Sequence, residues 1–366
     1  MMVTQKSHDV QDTQGRQVGR SPMRARRSSG RRWTSAMAAV ACAGLAVAAC
    51  SSGSSTSSSG GAKPSGTADV AYAGSLAYLN EKLFGPAFTK ATGYAYQGRG
   101  AGSDALSAEI ASGEITPNVF QSVGGDPITA LEPKFTKWYI RYAATSIVVA
   151  YNPKSKYASQ FAAIASGKAP LASLFTLMAK PGFKLGRTDP NIDPQGRSFI
   201  FMLELAQAKY HLPAGIVSKI LGVGAGAANL GSANSPTIFE ETALDARLQA
   251  GQLDAASAYL SQAIQLHLKY ITLPADINLG DFALETQYAK ASVTITGNVT
   301  KMGKPIVLDV TTIGTKDQAA ADAFVKYLLS PAGRAVYQQG GYTLLTPTAF
   351  GAMSSIPASI RHELGG

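Results

Sequence analysis

From residue 68 onward the chain alternates short apolar runs with longer stretches in which apolar positions recur at helical spacing. ADVAY (68 to 72), SIVVAY (146 to 151), ASVTITG (291 to 297) and KPIVLDVTTI (304 to 313) read as strands, rich in the β-branched and aromatic residues that suit a pleated surface. Between them, DALSAEIAS sets Leu106 and Ile110 four apart, with Ser103 as a prospective N-cap and Gly113 just past the end. Further on, Ala321, Phe324, Val325 and Leu328 fall at i, i+3, i+4 and i+7, behind a capping box of Thr315 and Gln318. Ser330-Pro331 opens another helix, with proline at the first helical position. Strand, loop, helix is the repeating unit, and it predicts an α/β fold with largely parallel sheets. The glycine-rich stretch GVGAGAANLGSANS (222 to 235) lacks the Gly-Lys-Ser/Thr ending of a phosphate loop and reads as surface.

The pattern before residue 68 is of another kind. Arg24, Arg26, Arg27, Arg31 and Arg32 precede an almost uncharged run from Trp33 to Ala49, the arrangement of a signal peptide. The run is short for a membrane span and built mostly from alanine, which disfavours a permanent transmembrane helix. It ends at Val47-Ala48-Ala49-Cys50, followed by SSGSSTSSSGGAKPSG. That junction resembles a bacterial lipobox, which implies lipidation of Cys50 after cleavage before it. Residues 1 to 49 would then be the leader and 50 to 66 the lipidated cysteine with a flexible Ser/Gly tether, holding the rest at the outer face of the cell membrane.

Composition changes meaning once that leader is set aside. The chain carries 33 Lys and Arg against 23 Asp and Glu, a net +10; Lys6 and seven arginines against Asp9 and Asp12 put +6 of it into residues 1 to 49, leaving +4. No basic stripe with interleaved aromatics follows residue 66, so nucleic acid is not an expected partner. Cys42 and Cys50 are the only cysteines, and Cys42 would leave with the leader, so no disulfide or thiolate metal cluster is open to the remainder. About 300 residues remain, enough for two lobes of ordinary domain size.

Catalytic constellations do not assemble. His211, His267 and His362 are the only histidines after the leader and none lies in an H-x-x-x-H arrangement, which argues against a zinc site. There is no G-x-S-x-G elbow. Instead, VAYAGSLAYLNEKL and GRGAGSDALSAEI each set a Gly-Ser pair, Gly74-Ser75 and Gly102-Ser103, at the start of a helix. A helix start offers free N–H groups and partial positive charge, and serine adds a hydroxyl, a combination suited to an oxyanion; the plainer reading is that each serine caps its helix. Asp193 precedes Pro194-Gln195-Gly196-Arg197 at a turn into RSFIFMLELAQAKYH, and Glu241 opens ETALDARLQAGQLD. Taken singly, both read as first-turn acids.

Read together, AYAGSLAYLNEKL, KWYIRYAATSIVVAYNPKSKYA, TDPNIDPQGRS, YITLPADINLGDF and the stretch from KPIVLDVTTIG to LLTPTAFG resemble, in content and order, the tungstate/molybdate-binding proteins of ABC importers, the archaeal-type branch of the molybdate-binding family. The resemblance covers roughly residues 68 to 351. It implies a type II periplasmic-binding-protein fold, two α/β lobes with a ligand cleft between them: 67–144 plus 311–366 in one lobe, 145–310 in the other, with the chain crossing at AATSIVVAYN and VLDVTTIG. Position by position, it places oxyanion-binding roles on Ser75, Ser103 and Tyr259, and ligands to the metal of the oxyanion on Asp193 and Glu241. The family usually has Gly-Tyr-Arg after the aspartate, whereas here Gly196 is followed directly by Arg197; the segment before Glu241 also matches poorly, so Glu240 stands as an alternative to it.

Two ionised carboxylates would weaken an ordinary oxyanion pocket, since like charges about 4 Å apart repel by roughly 4 kcal/mol at an effective dielectric of 20. Hexavalent molybdenum and tungsten can expand from four to six oxygen ligands, which sulfur and phosphorus do not readily do, so the acids would select the central atom. The expected function is therefore an extracytoplasmic lipoprotein, monomeric, without a cofactor and not an enzyme, that hands tungstate or molybdate to an ABC permease. The same fold binding sulfate, phosphate or an organic anion, with structural acids, is the alternative; an enzyme or sensor on this scaffold is the other.

Overall fold

The computed structural model describes residues 64–314 and 316–364. The leader, Cys50 and Thr315 of the expected capping box lie outside them. The chain first builds one sheet from β1 (Thr67–Ala73), β2 (Ala95–Ala101), β3 (Val119–Val123) and β4 (Trp138–Thr145). It then enters a second sheet with β5 (Ile147–Tyr151), β6 (Leu185–Gly186), β7 (Ala255–Tyr259) and β8 (Lys269–Ile271). A hairpin, β9 (Ser292–Ile295) with β10 (Val299–Met302), precedes the return to the first sheet as β11 (Ile306–Thr312) and β12 (Thr343–Gly351). The strand orders are β12-β4-β11-β3-β1-β2 and β6-β7-β5-β8.

This is the two-lobed α/β architecture, but its sheets are not largely parallel. Among the strand pairs of the described residues, β1–β2, β1–β3 and β6–β7 run parallel, whereas β3–β11, β4–β11, β4–β12, β5–β7 and β5–β8 are antiparallel. The strands that carry the chain out of each lobe and back are themselves inserted beside the βα units, and an inserted return strand runs against its neighbours. The first crossing lies at Ser146, between β4 and β5, within the segment AATSIVVAYN that the resemblance implies. VLDVTTIG is not the second crossing: all seven residues of β11 are buried and paired with β3 and β4, so the return is made before Ile306. ASVTITG likewise supplies only the half-exposed β9 of a two-stranded hairpin.

Central strands read as continuous apolar runs because helices cover both of their faces; β3, β5, β7 and β11 are buried at every position. The late helix Gln318–Leu329 is fastened to the first lobe by aromatic packing, with Phe84 and Phe324 edge to face at 5.1 Å and Phe88 and Phe324 at 5.4 Å. Each such pair adds about 0.5–1.5 kcal/mol beyond its buried area. Ser330 caps the next helix, Pro331–Gln339, by accepting a bond from Gly333 N at 3.2 Å. His211, His267 and His362 are all exposed. Among the described residues no helix is long and apolar enough to cross a membrane.

Candidate functional site

Four segments from two lobes meet at one place. From the first lobe come Gly74–Leu76, a tight turn at the end of β1, and the start of the helix Ser103–Ser112 after β2. From the second come the starts of the helices Pro194–Lys209 and Glu241–Gln249. Ser75, Ser103, Asp193, Glu241 and Tyr259 are exposed by 3%, 0%, 5%, 5% and 1%, so the residues singled out from sequence are all buried. Glu240, the alternative to Glu241, precedes its helix and is exposed at the mouth of the cleft.

The glycines before the two serines determine how close the lobes come. A methyl group on Gly74 would lie 2.5 Å from Glu241 Oε2, and one on Gly102 would lie 2.5 Å from the Ile192 carbonyl oxygen and 3.2 Å from Asp193 Cβ. Each Ala-Gly-Ser segment of the first lobe thus rests directly on one acid of the second. The backbone N–H of Ala105 donates to Ile192 O at 3.2 Å, and Arg197 Nη2 pairs with Asp104 Oδ2 at 2.6 Å across the same seam. The cleft is closed over these residues.

Ser103 does not cap its helix. Gly102 holds the cap position without a side-chain bond, and Ser103 Oγ accepts from Val123 N at 3.1 Å, leaving its proton to give elsewhere. Ser75 Oγ has no hydrogen-bond partner among the described residues, nor has Tyr259 OH, whose polar neighbour is Ser198. Leaving a buried hydroxyl unpaired costs about 1–3 kcal/mol, and three around one pair of acids, Thr188 Oγ1 beside Asp193 being the third, mark a place built for something with acceptor oxygens.

Both acids divide their oxygens. Asp193 caps its helix as the turn predicts, Oδ1 accepting from Gln195 N at 2.8 Å. Glu241 Oε1 accepts from Gln195 Nε2 at 2.8 Å and from Gln262 Nε2 at 3.3 Å. Burial pushes the Asp193 carboxyl up to about 6, against the Gln195 N–H and the Arg197 charge, which both lower it. Glu241 is raised well above the usual carboxylate range, by burial first and then by the charges of Asp193 and Asp245. Tyr259 rises for the same reasons, burial and then the two acids, and stays a neutral hydroxyl donor. Asp245, one helical turn beyond Glu241, is pushed up to about 7 by burial.

Four contributors escape the sequence reading. Gln195 and Gln262 hold Glu241, Ser257 Oγ donates to Gln195 Oε1 at 2.9 Å, and Asp104 pairs with Arg197. Uncharged amides and a small hydroxyl carry no motif, but Gln195 does lie within the singled-out turn TDPNIDPQGRS. Asp189, in the same turn, stays out of the cluster and binds Asn191 N at 2.9 Å.

A known family of bacterial extracellular solute-binding proteins matches the chain over residues 68–343. The chain is 32% identical over 242 residues, 63% of its length and 68% of the relative's, to the molybdate/tungstate-binding protein of Pyrococcus abyssi. It is 30% identical over 332 residues, 90% of its length and 94% of the relative's, to a Haloferax volcanii protein provisionally described as the molybdenum-binding protein of an ABC transporter. The periplasmic molybdate-binding protein of Azotobacter vinelandii shares its fold, with a TM-score of 0.51, 18% identity, and coverage of 76% of this chain and 99% of that one.

Proposed function

We propose that this chain, which belongs to the bacterial extracellular solute-binding protein family, captures tungstate or molybdate outside the membrane and delivers it, without turnover, to an ABC permease. The observation that carries this reading is the pair Asp193 and Glu241, buried together, each with one oxygen bonded to Gln195, beneath two serine-bearing turns of the first lobe. The names of the Pyrococcus abyssi and Haloferax volcanii relatives support the same ligand class. Oδ2 of Asp193 and Oε2 of Glu241 would bond the metal, and Ser75, Ser103 and Tyr259 would donate to its oxo groups. The acids would exclude sulfate, which meets their charge without gaining two bonds. Arg197 and Asp104 would hold the lobes shut. A lipid at Cys50 would tether the protein by its Ser/Gly segment, leaving the lobes free to meet the permease.

Calorimetric titration of the fragment from residue 66 with tungstate, molybdate and sulfate tests the reading. Tight binding of the first two and little heat with sulfate is the expected result. Equal affinity for sulfate would remove the role of the acids as metal ligands.

Closure gives a second measurable consequence. Gly102→Ala places its methyl against Ile192 O only when the lobes meet, so the fold should survive while the closed state loses about 1–3 kcal/mol. Tungstate affinity should fall by about 5- to 150-fold with an unchanged melting temperature for the unliganded protein. An unchanged affinity would show that the lobes need not approach this closely to bind.

A further inference from the structure

We infer that Gln195 is a positioning residue that makes both acids single-oxygen ligands, and so decides that the site selects a metal able to take six oxygens. This rests on the function proposed above. Gln195 touches both carboxylates with different parts of itself: its backbone N–H occupies Asp193 Oδ1 at 2.8 Å, and its side-chain Nε2 occupies Glu241 Oε1 at 2.8 Å. What it leaves is one oxygen on each acid, Oδ2 and Oε2, the latter being the atom that faces Gly74 across the cleft.

The direction in which the Gln195 amide points is set by obligate donors behind it. Tyr259 N can only donate, and it gives its bond to Gln262 Oε1 at 3.0 Å. Gln262 therefore meets Gln195 with its oxygen, accepting from Gln195 Nε2 at 2.7 Å, and turns its own Nε2 toward Glu241. Gln195 Oε1 in turn accepts from Ser257 Oγ at 2.9 Å. Every polar atom of the Gln195 side chain is thus used, in surroundings where it is 1% exposed. Flipping the amide would set oxygen against Gln262 Oε1 and Glu241 Oε1, so the chain of bonds from β7 admits one orientation. With Oε1 held, Glu241 is not free to turn both oxygens onto a metal. Four oxo groups and two single carboxylate oxygens make six.

Outer partners of this kind typically change metal affinity by about 10–100-fold when removed. Gln195→Met keeps the side-chain length and the backbone N–H to Asp193 but leaves Glu241 Oε1 only the longer bond from Gln262 Nε2, 3.3 Å; Ser257→Ala removes only the bond that orients the amide and takes no charge from the core. The experiment is tungstate and sulfate titration of the wild type and both variants, with the oxygen count around bound tungsten read by X-ray absorption and a melting curve for each protein. The expected result is six oxygens in the wild type, a tungstate Kd raised about 10–100-fold in Gln195→Met and by less in Ser257→Ala, an altered oxygen count, and unchanged sulfate binding. Should Gln195→Met fail to fold, Ser257→Ala decides alone. Wild-type affinity and six oxygens in the folded variants overturn the inference, as does a weakened tungstate affinity with all six oxygens retained, which would mark a structural role. A wild type that does not bind tungstate, or binds it with four oxygens, overturns the proposed function itself.

Discussion

Asp193→Asn is expected to weaken tungstate binding by about two orders of magnitude, roughly 2.7 kcal/mol, while leaving the melting temperature of the unliganded protein unchanged or higher. The two effects separate because the carboxylate has two employments. As helix cap it needs only an acceptor at Oδ1 for Gln195 N, and asparagine caps about as well as aspartate. As a metal ligand it needs negative charge at the other oxygen, which asparagine lacks. Removing that charge also relieves its repulsion of Glu241, whose carboxyl is raised by burial and then by Asp193. Glu241→Gln should behave alike, since Oε1 remains to accept from Gln195 and Gln262. Calorimetry and thermal melting on one preparation check both halves; full tungstate affinity in Asp193→Asn would reduce the residue to a cap.

The unliganded protein is expected to lose stability as the pH rises from about 5 to about 8, by several kcal/mol, since moving one carboxyl's titration by a single pH step is worth about 1.4 kcal/mol. Carboxyls of an unfolded chain titrate near 4, whereas Asp193 is pushed up to about 6, Asp245 up to about 7, and Glu241 well above its usual range, each by burial. Between those limits the folded protein keeps protons that the unfolded chain has released, so each pH step favours unfolding. Burial of Asp309 and Glu204 adds in the same direction, whereas Asp126, its carboxyl lowered by Lys304 and Lys301 in spite of its burial, is ionised in both states over this window and leaves the trend unchanged. Tungstate affinity should move the other way, rising with pH through the window, because coordinating acids must first give up their protons. Urea unfolding at three pH values checks the first trend, and Asp245→Asn should flatten its upper part. Stability that is flat or rising above pH 5 would contradict the buried-acid account.

Much of this is legible in the order of residues. The runs at 68–72, 146–151 and 304–313 each become strands because continuous Val, Ile and Ala positions have no solvated face to present. Pro194 after Asp193, and Pro331 after Ser330, mark helix starts through the fixed dihedral of proline, and both side chains cap as that position demands. Sheet direction is not legible, since the same apolar run serves a parallel or an antiparallel partner. Ser103 departs from its expected capping role for a related reason: Val123 N, twenty residues away, competes for the hydroxyl.

What the sequence by itself determined is local: where strands and helices begin, which serines and acids stand at helix starts, and, through resemblance, which of them belong to one family pattern. What only the tertiary structure decided is which oxygen of each acid is already used, that Glu241 rather than Glu240 is enclosed, and that the glycine before each serine is the surface on which an acid rests. The reason is physical. Helix starts and apolar periods arise between residues a few positions apart, whereas the contact of Gly74 with Glu241, or of Gln195 with Gln262, is made only when segments far apart in the chain close on each other.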